Sequence, residues 1–175
     1  NKQMSINIAL NAKMRRTGVC GATETLLCHK DVYNSILPSV IDELIKNGCE
    51  IRGDKKIQAL NKKVLLAKEK DWSTEYLDSI ISIKIVNNVN DAIKHIEKYG
   101  SNHTDAIVTN NKKTAEKFLT NVNSAIVVHN ASTQYADGGE FGMGAEMGIA
   151  TGKLHARGPV ALEELTTYKY QLRGK

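Results

Sequence analysis

The stretch Ile80-Ile81-Ser82-Ile83-Lys84-Ile85-Val86, followed by a helical pattern from Asn90 to Tyr99 and a stop at Gly100, decides the fold class. Apolar residues occupy nearly every position of 80–86, which predicts a strand. Asn90 suits the N-cap of the helix that follows. The same alternation repeats downstream, with a strand over Asp105–Thr109, a helix over Asn111–Leu119 and an apolar strand over Ala125–His129. Strands alternating with helices predict an α/β sheet with parallel elements.

Upstream, Ser5–Leu10 alternates with Ile6, Ile8 and Leu10 on one face, which predicts a strand, and Asn11–Gly18 reads as a loop. Ala22–His29 reads as a short helix. Val32–Asn47 is a clearer one, with Ile36, Val40, Ile41, Leu44 and Ile45 at helical spacing and Gly48 at its stop. Pro38 either kinks that helix or marks its true start. Glu50–Arg52 predicts a short strand and Asp54–Leu60 a short helix. The lysine-rich stretch Asn61–Lys70 reads as a solvated helix face. After His129 the texture changes. Residues 130–158 are dense in Gly138, Gly139, Gly142, Gly144, Gly148 and Gly152, the mark of a functional loop system. Glu164–Leu172 alternates as an extended edge strand suited to pairing with another subunit.

The chain has 175 residues and 19.3 kDa, 41% of them hydrophobic and 25% charged, which suits one packed domain. No stretch approaches the roughly 18 apolar residues of a membrane span, and no signal peptide is visible. The sequence opens on Asn1, with its first methionine at Met4, and reads as a fragment or processed piece. The net charge of +5 and pI of about 9.0 invite a nucleic-acid reading. The lysines are spread along the chain rather than gathered in a patch, which argues against it. Cys20, Cys28 and Cys49 are odd in number and lack metal spacing, so neither a disulfide framework nor a metal site is expected. A reducing cytoplasm is the simplest setting.

The sharpest local feature is Gly18-Val19-Cys20-Gly21-Ala22-Thr23-Glu24-Thr25-Leu26-Leu27. Read as a glycine loop entering a helix, it places Cys20 where backbone N–H groups and the helix dipole stabilise a thiolate. The same amides suit an oxyanion. Cys28 and Cys49 read as buried structural residues.

Four ordered motifs run through the chain. The first is Asn11-Ala12-Lys13, then Gly18-Val19-Cys20 and Glu24-Thr25-Leu26-Leu27. The second is Val86, then Ala92-Ile93, His95-Ile96, Tyr99-Gly100-Ser101, His103-Thr104-Asp105 and Ile107. The third is His129-Asn130-Ala131-Ser132-Thr133, running on through Asp137-Gly138 and Phe141-Gly142 to Gly144-Ala145-Glu146. The fourth is His155-Ala156-Arg157-Gly158-Pro159-Val160, then Leu162-Glu163-Glu164-Leu165-Thr166-Thr167-Tyr168-Lys169-Tyr170. Together they cover nearly the whole chain and resemble gamma-glutamyl phosphate reductases, a branch of the aldehyde dehydrogenase superfamily.

The resemblance implies an aldehyde-dehydrogenase-like catalytic domain over residues 1–158, with an open, mostly parallel sheet. It also implies an extended oligomerisation segment over residues 159–175. The activity implied is NADPH-dependent reduction of L-glutamyl 5-phosphate to L-glutamate 5-semialdehyde and phosphate, a step of proline biosynthesis. Cys20 would carry the thioacyl intermediate, and water should be kept from it. For the anionic substrate, Arg157 is the candidate charged contact; its alternative is a salt bridge that fixes the C-terminal segment. Asn130, Ser132 and Thr133 follow an apolar strand, where ligands commonly bind; turn and cap chemistry is the alternative. Glu146 would bind the substrate ammonium or cap a helix. His95 and His103 fall on the structural side.

Two departures stand out: Gly21 where the family usually has Asn, and Gln134 where it usually has Arg. The family's nucleotide-binding domain lies mostly before the cysteine, and only 19 residues precede Cys20 here. No glycine-rich dinucleotide turn is visible, and the superfamily's oxyanion-hole side chain from the upstream domain is also missing. The chain alone is therefore expected to bind NADPH weakly or not at all, as a homo-oligomer or beside a separately encoded nucleotide-binding half. A non-enzymatic remnant, a cofactor-free thiol protein or acyl-cysteine hydrolase and, last, a nucleic-acid-binding module are the rivals.

Overall fold

The computed structural model describes residues 1–175. Five helices, α1 (Lys2–Met14), α2 (Leu37–Lys46), α3 (Lys55–Gln58), α4 (Val89–Tyr99) and α5 (Lys112–Asn121), alternate with eight strands. The strands are β1 (Thr25–His29), β2 (Glu50–Gly53), β3 (Leu65–Leu66), β4 (Ile80–Val86), β5 (Thr104–Ile107), β6 (Ile126–His129), β7 (Gly148–Ala150) and β8 (Gly158–Val160). The main sheet is four-stranded and parallel throughout, in the order β1-β4-β2-β3. β5 and β6 form a second parallel pair, and β7 and β8 an antiparallel one. The α/β architecture with a mostly parallel sheet stands.

The reason for the main sheet lies in its centre. β4 has neighbours on both edges, and Ile81, Ser82 and Ile83 are fully buried. Against it pack Leu37, Val40, Ile41 and Leu44 of α2, with Ile51 and Ile57. Pro38 sits in the first turn of α2, where its missing N–H costs nothing, so it marks the start and residues 30–36 remain turns. A smaller core of Ile93, Phe118 and Val122 holds α4 and α5 beside the second pair. Asn88, rather than Asn90, caps α4, and Asn111 caps α5.

Four local expectations are corrected. Ser5–Leu10 is helical, because Ile6, Ala9, Leu10 and Met14 form an i, i+3, i+4, i+8 stripe that packs on the main core. Thr25–His29 is a strand, because pairing with Ser82–Val86 of β4 overrides the helical leaning of Leu26-Leu27. Asn61–Lys70 is not a helix. Val64 is buried there while Leu65 and Leu66 form the short β3, and the segment ends in a 3-10 turn, Glu69–Ser73. Glu164–Leu172 pairs with no strand of this chain, so its backbone has no ladder; Tyr168, Tyr170 and Leu172 are exposed. No helix is long and apolar enough to cross a membrane.

Candidate active site around Cys20

The loop from Arg15 to Glu24 leaves α1 and enters β1, and Cys20 is exposed on it. Its neck is closed twice. The Thr23 N–H donates to the Ala12 carbonyl at 2.9 Å, and the Lys13 ammonium meets the Glu24 carboxylate at 2.7 Å. Lys13 is fully buried, so this pair is a short charge-assisted bond rather than a loose surface contact. The Ala22 N–H donates to Val19 O at 2.9 Å, which puts Cys20 inside a tight turn. Because a strand follows rather than a helix, the thiol has no helix N-terminus beside it. The N–H groups of Cys20 and Gly21 make no hydrogen bond within the chain.

The turn after β6 forms the facing wall. Ser132 accepts from the Gln134 N–H at 3.2 Å and starts the 3-10 turn Thr133–Tyr135. The hydroxyls of Thr133 and Thr23 lie 2.9 Å apart. The Gln134 side chain donates to Ala12 O at 2.9 Å and to Arg16 O at 3.0 Å. A Cβ on Gly21 would sit 3.2 Å from the Thr133 carbonyl, so the two backbones touch there. The two departures from the family pattern, Gly21 and Gln134, are therefore neighbours in space.

The other predicted site residues make hydrogen bonds within the chain. Asn130 adopts φ +55 and clamps Thr109: its Oδ1 accepts from the Thr109 N–H at 2.9 Å, and its Nδ2 donates to Thr109 O at 3.1 Å. Glu146 accepts from the Gly138 N–H at 2.7 Å across the glycine-rich loop. Arg157, exposed, donates to the Asn123 carbonyl at 3.0 Å and to its side chain at 3.2 Å. Cys20 and Thr133 share the wall of one cavity of about 820 Å³; Asn130, Ser132, Glu146 and Arg157 do not line it. Sequence reasoning missed Thr23 and the Lys13–Glu24 pair, although both lie inside or beside the first motif.

The cavity runs between the facing edges of β1 and β5 and is lined by every residue of both strands. Trp72, His95, Tyr99 and His103 also border it. His95 packs edge-on to Trp72 and against Tyr99. Burial, helped by the Lys84 charge, pushes its pKa down to about 4, so it is neutral at pH 7. Lys84 Nζ lies 3.4 Å from Nδ1, and an ammonium only donates, so Nδ1 accepts and the proton resides on Nε2. Burial lowers His103 as well. Burial alone pushes the Cys28 thiol up to about 11, and chiefly burial does the same at Cys49, which removes both from thiolate chemistry near neutral pH.

In Rossmann folds a glycine-rich βα turn cradles the pyrophosphate of a dinucleotide cofactor. The turns after β1, β4 and β5 contain no glycine, and Gly53 before α3 is packed against Ile57. These turns do not form that cradle.

No protein-family model matches the chain. Gamma-glutamyl phosphate reductase of Parvibaculum lavamentivorans is 61% identical over 171 residues, which is 98% of this chain and 40% of that protein. The crystal structure of gamma-glutamyl phosphate reductase from Thermotoga maritima superposes with a TM-score of 0.93 at 46% identity, over 99% of this chain and 44% of that one. An acetylating aldehyde dehydrogenase from Geobacillus thermoglucosidasius superposes over 100% of this chain and 49% of its own, with a TM-score of 0.69 at 16% identity, a likeness of fold. The chain thus spans about 40% of the length of the curated relatives it matches. With 61% identity over 98% of its length, the chain belongs to the gamma-glutamyl phosphate reductase family.

Proposed function

We propose that this chain supplies the thiol-bearing part of an NADPH-dependent reductase that converts L-glutamyl 5-phosphate to L-glutamate 5-semialdehyde, a step of proline biosynthesis. The observation that carries the reading is Cys20, the one exposed cysteine of three, on a loop braced at the wall of a large cavity in a chain of this family. The thiol loses its proton to solvent. Its sulfur attacks the acyl carbon, forming a C–S bond as the C–O bond to phosphate breaks, and phosphate leaves with the electron pair. The uncommitted N–H groups of Cys20 and Gly21 suit the oxyanion of that step. The hydride step is assigned to no residue of this chain, whose βα turns lack a pyrophosphate cradle.

Thr133, touching the Cys20 loop, is the substrate contact this reading favours. Ser132 caps a 3-10 turn, while Asn130, Glu146 and Arg157 bond to Thr109, Gly138 and Asn123, so this reading gives these four no substrate contact. Residues 159–175, with Leu162, Tyr168, Tyr170 and Leu172 exposed, are proposed as an oligomerisation segment. Phosphate-dependent oxidation of glutamate 5-semialdehyde, with a fluorescence titration of NADPH, tests the reading. Thioester formation at Cys20 without tight NADPH binding is expected. Failure of Cys20 to accept an acyl group from an acyl phosphate would sink it.

A further inference from the structure

The geometry points to Gln134 as the positioning residue of the Cys20 loop, acting through the carbonyls of Ala12 and Arg16. The inference rests on the reading of Cys20 as an acyl acceptor. Gln134 is buried, and its amide nitrogen spends both hydrogens where α1 runs into the loop, at 2.9 Å to Ala12 O in the last turn of the helix and 3.0 Å to Arg16 O in the loop. Its neighbour Thr133 meets Thr23 through paired hydroxyls at 2.9 Å and presses its carbonyl against Gly21. This dipeptide therefore touches the loop before, beside and after Cys20. Between Thr17 and Ala22 the loop's only backbone bond of its own is the Val19–Ala22 turn. Its placement relative to the cavity wall is set by the neck ties at Ala12 and Lys13 and, from outside, by residues more than a hundred positions away in the chain.

A thiol held by its own loop and one held by a distant amide differ in what a mutation does. Gln134→Glu keeps the volume but turns a double donor into a carboxylate facing two carbonyl oxygens. The loop shifts, and a misplacement on the order of 1 Å costs acyl transfer as much as ~100-fold. Alkylation of the exposed sulfur needs no oxyanion geometry and is affected far less. Gln134→Arg supplies donors again and restores placement.

The test uses the 175-residue chain with acetyl phosphate as acyl donor and iodoacetamide as alkylating probe, each read at Cys20 by peptide mass. In the reaction the acetyl C–S bond forms, the C–O bond breaks and inorganic phosphate leaves. Gln134→Glu is expected to slow acylation by about 10- to 100-fold, while alkylation stays within about threefold and Gln134→Arg recovers most of the loss. Unchanged acylation in Gln134→Glu overturns the inference. If labelling of Cys28 and Cys49 reveals that this variant is unfolded, Gln134→Asn, one methylene short of both carbonyls, carries the same test with the same two outcomes. An unmodified protein that forms no thioester overturns the acyl-acceptor reading itself, and the positioning role with it.

Discussion

The sheet core under α2 and the loop that carries Cys20 are held by different forces. In the core, Leu37, Ile41, Leu44, Ile51, Ile57, Ile81 and Ile83 are all at most 1% exposed. Each contributes about 1.5–3 kcal/mol by leaving water, and no single contact is decisive. In the loop, order rests on a few polar ties: one amide, one hydroxyl pair and one ion pair. Cys28 and Cys49 lie in the first region and Cys20 in the second. A core built on many interchangeable contacts loses stability gradually, whereas a loop built on single directional contacts loses function without losing the fold.

The most severe break of this contrast is Cys20→Ser. It should abolish thioester formation by at least about a thousandfold and shift stability by less than about 0.5 kcal/mol, as expected of an exposed site; single-turnover mass spectrometry and urea melts read both. Ile41→Ala is the mirror image. It removes a side chain with 0% exposure and should cost about 2–5 kcal/mol in the same melts. Glu24→Gln strips the partner from buried Lys13. Glu24 keeps some solvent contact, so the cost should fall below the full buried-pair range, at about 2–3 kcal/mol. Lys13→Met, which removes the charge as well, should cost less.

Burial also shifts the titration of groups away from the loop. The folded-state pKa of Cys28 and Cys49 is raised to about 11, so their stabilisation is present below the ordinary thiol pKa and is lost as pH rises from about 9 to about 11. His95 is depressed to about 4, so its contribution is present above about 6.5 and lost as pH falls towards 4. A proton NMR titration should find its imidazole still neutral at pH 5.5. The smallest effect is expected at Arg157. Its exposed tether to Asn123 predicts a loss below about 1 kcal/mol for Arg157→Ala. A large fall in acyl-phosphate turnover in that variant would instead restore it as a substrate contact.

The α/β class, the bounds of β4 and the family were legible in the residues themselves. Ile80–Val86 is apolar at nearly every position because a central parallel strand is covered on both faces, and that needs no partner to be read. The buried state of Cys28 and Cys49 was legible too, although Cys28 lies on a strand rather than in the helix expected there. The surroundings of Cys20 were not. A five-residue run such as Thr25–His29 has no period long enough to separate helix from strand, and only the free edge of β4 decided it. Pairing across a hundred residues leaves no local pattern either, so Gln134 against Ala12 and Arg16, and Thr133 against Thr23, exist only in the folded chain. Sequence by itself singled out Cys20 as the candidate nucleophile and determined what the core is made of, because motifs and periodicity are local. Tertiary structure alone decided what holds that thiol in place, because directional hydrogen bonds depend on which distant groups the packed sheet brings within 3 Å.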